Sequence, residues 1–99
     1  MSIFSWDERK REQNWALRKV EFARAVGIFD DPEVIELADN REDYGEERFR
    51  ALGRSEGVFY LVAYTWRGDT RHIITAWKVG GHGKKRYKSL FARRDSRND

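Results

Sequence analysis

The stretch Val58-Phe-Tyr-Leu-Val-Ala-Tyr-Thr-Trp-Arg67, Gly68-Asp69, Thr70-Arg-His-Ile-Ile-Thr-Ala-Trp-Lys78 decides the fold. Its first run is apolar at both odd and even positions, the mark of a strand covered on both faces. Gly68-Asp69 suits a two-residue hairpin loop, so Thr70 to Lys78 returns antiparallel. That loop sets Arg67 opposite Thr70, Thr65 opposite His72 and Phe59 opposite Lys78. One face of the ribbon then carries Arg67, Thr65, His72 and Lys78 around Leu61, Ala63, Ile74 and Ala76. The other carries Trp66, Tyr64, Tyr60, Trp77 and Arg71. Aromatics interleaved with arginine suit base stacking beside phosphate contacts, or equally a core beneath helices.

Upstream, Ser55-Glu56-Gly57 turns the chain. Before it, Phe49, Ala51 and Gly53 face one way and Arg48, Arg50 and Arg54 the other, the period of a strand. Residues 39–46 read as an exposed acidic loop, and Val34 to Leu37 as a short strand. Asp30-Asp31-Pro32 ends a helix over about Glu21 to Phe29, since the residue before proline leaves helical geometry. Within that helix Phe22, Val26 and Phe29, with Ala25, form one apolar stripe. Ser5-Trp6-Asp7-Glu8 fits a capping box opening a helix from about Trp6 to Leu17.

Downstream, Gly80-Gly81-His82-Gly83 is a joint leading to a last helix, about Lys84 to Arg93, with Tyr87, Leu90 and Phe91 on one face. The expectation is a single α+β domain over residues 1–94. It has two N-terminal helices, a three- or four-stranded antiparallel meander and a C-terminal helix, with 95–99 a disordered basic and polar tail.

Composition narrows the chemistry. With 99 residues, 39% hydrophobic and 37% charged, the chain suffices for one core under a heavily charged surface. It has no cysteine, so disulfides and thiolate metal sites are excluded, and two histidines alone build no structural zinc site. The longest apolar run is far short of a membrane span. The N-terminal residues lack signal-peptide character, so a cytoplasmic protein is expected. Residues 1–30 hold 6 basic and 5 acidic side chains, 31–56 hold 4 and 9, and 57–99 hold 10 and 3. The last region is therefore +7, the footprint of a phosphate-rich partner such as RNA.

RNA cleavage without a metal needs a base for the 2′-hydroxyl proton, an acid for the departing 5′-oxygen and cations on the crowded phosphate. His72, Tyr87, Arg67, Arg71, Lys78 and Lys85 are the right types. A strand histidine can also be simply hydrogen-bonded.

Several strings, read in order, resemble one family. They are Trp6-Asp7-Glu8 with Lys10 and Asn14; Val20, Phe22 and Ala25; and Phe29, Asp31 and Pro32. Gly45-Glu46-Glu47-Arg48-Phe49 and Gly53 follow, then Tyr64-Thr65, Arg67-Gly68-Asp69, Ile73-Ile74-Thr75-Ala76, Lys78 and Tyr87. This set, spanning about Phe4 to Phe91, is similar to BrnT, the toxin of BrnT–BrnA type II toxin–antitoxin pairs. The resemblance implies a RelE-like fold and a metal-independent endoribonuclease that stops translation by acting on mRNA or ribosome-associated RNA. It implies a BrnA-like antitoxin that covers the active surface and ties the pair to operator DNA, with no cofactor and no membrane partner. Arg67, Lys78 and Tyr87 are the matched positions that take over functional roles; His72 is the candidate base by residue type, not by the resemblance. Lys10, Arg18, Arg71, Trp77, Lys84 and Lys85 are expected to contact RNA.

The chain also departs from the family pattern. Where relatives usually have Lys-His-Gly, it has Leu17-Arg18-Lys19. Where they have arginine before Ile-Ile, it has His72. Their Ser-Ala-Arg is Thr75-Ala76-Trp77 here, so an arginine is lost. A second reading therefore stands beside the first: the same fold binding RNA or an antitoxin-like partner without cleaving.

Overall fold

The computed structural model describes residues 3–39, 43, 45–81, 85 and 89. Strand β1 (Ile3–Trp6) leads into helix α1 (Glu8–Arg18). A single α-helical turn, α2 (Phe22–Ala25), tightens into a 3-10 helix over Val26–Asp30. Strands β2 (Ile35–Asp39), β3 (Arg48–Ser55), β4 (Val58–Arg67) and β5 (Thr70–Lys78) complete one five-stranded sheet in the order β1-β5-β4-β3-β2. The hairpin ribbon is where the sequence puts it. Gly68 takes the first turn position with φ of +61°, a backbone region where a Cβ is costly.

The expected architecture is corrected in three respects. The sheet is mixed, because Ile3–Trp6 pairs parallel to Thr70–Ile73 and adds a strand before the first helix. Ser5-Trp6 therefore belongs to a strand. The N-cap is Asp7, whose carboxylate accepts the Arg9 N–H at 2.8 Å. The second helix is one turn with a 3-10 continuation, so the two-helix N-terminal layer is mostly one helix, α1. The helix expected over Lys84 to Arg93 falls, except for Lys85 and Ser89, outside the described residues, as does the tail.

The core lies on one face of the sheet. Phe22, Ala25 and Ile28 press onto Ala51, Tyr60, Val62, Tyr64, Ile73 and Ala76, all buried. Burying a side chain the size of phenylalanine contributes roughly 2–3 kcal/mol. The 3-10 helix sits so close that a Cβ on Gly53 would meet Ile28 Cβ at 2.9 Å, which explains glycine in mid-strand. A smaller cluster, Leu52 and Leu61 with Ile35, Leu37, Trp77 and Val79, lies on the opposite face.

One irregularity reassigns half of β5. Tyr64 pairs with Ile73, but the next residue, Ala63, pairs with Thr75, so the strand carries an extra residue at Ile74. Such a bulge sends every later side chain to the other face. Tyr60, and not Phe59, now opposes Lys78, and Leu61 opposes Trp77. Trp77 thus leaves the aromatic face and joins the face of His72, while Lys78 leaves it.

Candidate functional site

His72 belongs to a polar row that crosses all five strands. Ser5 of β1 and Thr65 of β4 flank it in register. On the far side of β4, Arg48 pairs with Asp39 of β2. Ser5 Oγ lies 2.9 Å from His72 Nδ1, and Thr65 Oγ1 donates to the Glu47 carbonyl at 2.6 Å. Asp39 is buried, within 3.9 Å of Arg50 Nε, and Arg48 reaches Glu46 at 3.5 Å. Arg67 stands at the strand end, diagonal to His72 and exposed.

The imidazole feels this setting. Partial burial, and secondarily the Arg67 cation, hold His72 below its ordinary value near 6.5; Glu46 and Asp7 oppose the shift. His72 is therefore neutral near pH 7. If Nδ1–H donates to Ser5, Nε2 is left as an acceptor aimed away from β1, as a general base requires.

A second part of the same face runs from Thr75 to Trp77, three to five residues along β5 and roughly 10–16 Å away at strand spacing. There Arg18, at the end of α1, places its guanidinium 5.4 Å from the centre of the half-buried Trp77 ring. A cation from the neighbouring helix thus stands over Trp77. Lys10, two turns before Arg18, faces the same cleft. Asn14 between them is buried. It donates to the carbonyls of Ala76 and Val20 at 2.9 and 3.1 Å and accepts the Ala76 N–H at 3.3 Å. Its carboxamide stands in for the strand neighbour that β5 loses where β1 ends, tying α1 to the sheet.

The remaining site residues part company. Arg71 points to the helix-covered face and is packed among Phe29, Trp66 and Tyr64, at 4.2, 4.5 and 5.4 Å from the ring centres. Its guanidinium pairs with Glu36 at 3.0 Å, and Tyr64 donates its hydroxyl to the same carboxylate. Burial and that bond raise the Tyr64 phenol well above its usual range. Lys78 is exposed at the far end of the ribbon, roughly 20 Å along the strand from His72 and on the other face. Lys85 is exposed; Tyr87 and Lys84 lie outside the described residues.

Ser5, Arg48 and Glu46 enter the site without having been expected there. Ser5 looks like a helix cap, and only the parallel pairing of β1 with β5 brings it to His72. Arg48 lies on the arginine face of β3 that the sequence period shows, but that face meets His72 only through the sheet order.

A surface depression of about 1090 Å³ lies elsewhere, between the α2 region and the β3–β4 turn. Glu21, Asp30, Asp31, Glu33 and Glu56 outnumber Arg24 and Arg54 along it, so it repels phosphate. Among the described residues no three His, Asp or Glu side chains converge as a metal site, and no helix is long and apolar enough to cross a membrane.

Residues 6–80 match the model of a family described as the ribonuclease toxin, BrnT, of type II toxin–antitoxin systems. No curated protein matches the chain. With three quarters of its length matched, the chain belongs to the BrnT family of ribonuclease toxins, and with that membership come an RNA substrate and an antitoxin partner.

Proposed function

We propose that this chain is a metal-independent endoribonuclease that acts in the cytoplasm, stops translation by cutting mRNA or ribosome-associated RNA, and is held in check by a BrnA-like antitoxin. The observation that carries the reading is the neutral His72, hydrogen-bonded to Ser5 and flanked by Arg67 on the sheet face opposite α2 and the 3-10 helix. Nε2 of His72 takes the proton from a ribose 2′-hydroxyl. The 2′-oxygen attacks phosphorus, the bond to the 5′-oxygen breaks, and that oxygen leaves with a proton. Arg67 stabilises the charge on the phosphorane, and Tyr87 is the acid carried over from the family resemblance. Trp77, Arg18 and Lys10 hold the strand beside the scissile bond, with Lys84 and Lys85 adding phosphate contacts.

The antitoxin covers this basic face and links the pair to operator DNA. Lys78, remote from His72, contributes to RNA binding in this scheme and not to the cut. Expression without the neighbouring antitoxin gene tests the reading: wild-type chain arrests growth and cleaves total RNA in vitro, while Arg67→Ala and His72→Gln do neither, with chelators having no effect. A harmless wild type that binds RNA without cutting it supports the second reading, a binding module that has lost its chemistry. The position of Lys78 away from His72 favours that reading. Trp77→Arg then shows whether the replaced arginine is the cause.

A further inference from the structure

The end of β1 at Trp6 and the extra residue at Ile74 together open a notch between α1 and β5, about 260 Å³ in volume. Pockets for drug-sized ligands start at roughly 300 Å³, so the notch admits one nucleotide unit of a chain rather than a folded ligand. Its lining contains two cations, Lys10 and Arg18, two helical turns apart on α1, and no carboxylate. At its floor is Thr75, whose hydroxyl proton is committed to Asn14 Oδ1 at 3.0 Å. Thr75 Oγ1 therefore faces the notch only as an acceptor. A phosphate offers no donor to it, whereas a ribose 2′-hydroxyl does. Gln13 on the rim can donate or accept.

We propose that this notch is a ribonucleotide subsite: Lys10 and Arg18 hold a backbone phosphate, and Thr75 accepts a hydrogen bond from the 2′-hydroxyl of the attached ribose. The subsite rests on the proposed reading of the chain as an RNA-cutting enzyme and lies beside, not at, the phosphodiester bond that is cut. It would make the chain prefer RNA to DNA at a nucleotide that is not cut, because the 2′-hydroxyl is the group that separates the two polymers.

The test uses the full chain as His72→Gln, so that binding is read without cleavage, with fluorescent single-stranded RNA and DNA of identical sequence. RNA is expected to bind about fivefold more tightly than DNA, the size of one neutral hydrogen bond. Thr75→Val should erase that ratio and Thr75→Ser should keep it, which separates a lost contact from a lost fold. Lys10→Gln and Arg18→Gln should weaken RNA and DNA alike and lower the salt slope by about one each. Free adenosine monophosphate should compete only weakly, since it lacks the neighbouring phosphates. Equal affinity for RNA and DNA in the parent, a preference that survives Thr75→Val, or a mononucleotide that competes as well as the strand would each overturn the subsite. Cleavage by the His72→Gln chain at the wild-type rate would instead sink the catalytic reading and leave the binding ratio standing.

Discussion

Arg71 points beneath the helices and packs between Phe29 and Trp66, whereas His72, one residue on, points to the opposite face and meets Ser5. Both are polar strand residues in a basic segment, and pattern alone treats them alike. The difference comes from what each face is covered with. Arg71 is surrounded by aromatic rings and a carboxylate, so its charge is spent on holding the β2–β4–β5 contact together. His72 has a hydroxyl on one side, an exposed arginine nearby and, among the described residues, no partner on its second ring nitrogen. On the proposed reading one face serves stability and the other chemistry, and substitutions should divide accordingly.

The largest effect is expected in the core of the helix-covered face. Phe22→Ala removes a fully buried ring that touches Trp6 edge-on at 5.8 Å, and should cost about 3–5 kcal/mol in urea unfolding. Asn14→Ala should cost about 2–3 kcal/mol, because the Ala76 N–H and carbonyl lose their shared partner while buried. A loss below about 0.5 kcal/mol would show that water replaces the carboxamide and that Asn14 does not tie α1 to the sheet.

Smaller, and of opposite sign, is Lys19→Gly. Lys19 caps α1 with φ of +55°, its N–H bonded to the Trp15 carbonyl, in a backbone region that favours glycine. Relieving that left-handed backbone should stabilise the fold by about 0.5–1 kcal/mol, checked by thermal unfolding.

Titration sharpens the contrast further. His72 binds its proton less readily folded than unfolded, where its value is near 6.5. Between the folded value and 6.5 the unfolded chain therefore holds more protons, and stability rises with pH through that window. The contribution is full above 6.5 and declines as pH falls below it. Cleavage should likewise rise with pH and level off below 6.5, and both dependences should vanish in His72→Gln.

How far the sequence could be read follows from these contacts. The β4–β5 hairpin was legible because Gly68-Asp69 and the apolar run are local signals, and the Phe22 stripe because its period is. The arginine and apolar faces of β3 were legible for the same reason. β1 was not: four residues are too few to show a period, and its parallel partner lies 67 positions away. Nor was the bulge, since Ile74 carries no glycine or proline to mark it. That single residue moved Trp77 to the side of His72 and Lys78 away from it, so the candidate site was legible in residue type more than in grouping.

The most direct test takes the adjacent pair, Arg71→Met and His72→Gln, and measures melting temperature and RNA cleavage per folded molecule on both. The division of the two faces predicts that His72→Gln keeps its melting temperature and loses cleavage on the order of a hundredfold. Arg71→Met should lose about 1–2 kcal/mol of stability and cleave as wild type once folded. A folded Arg71→Met chain that cannot cleave, or a His72→Gln chain that cleaves normally, would contradict the account.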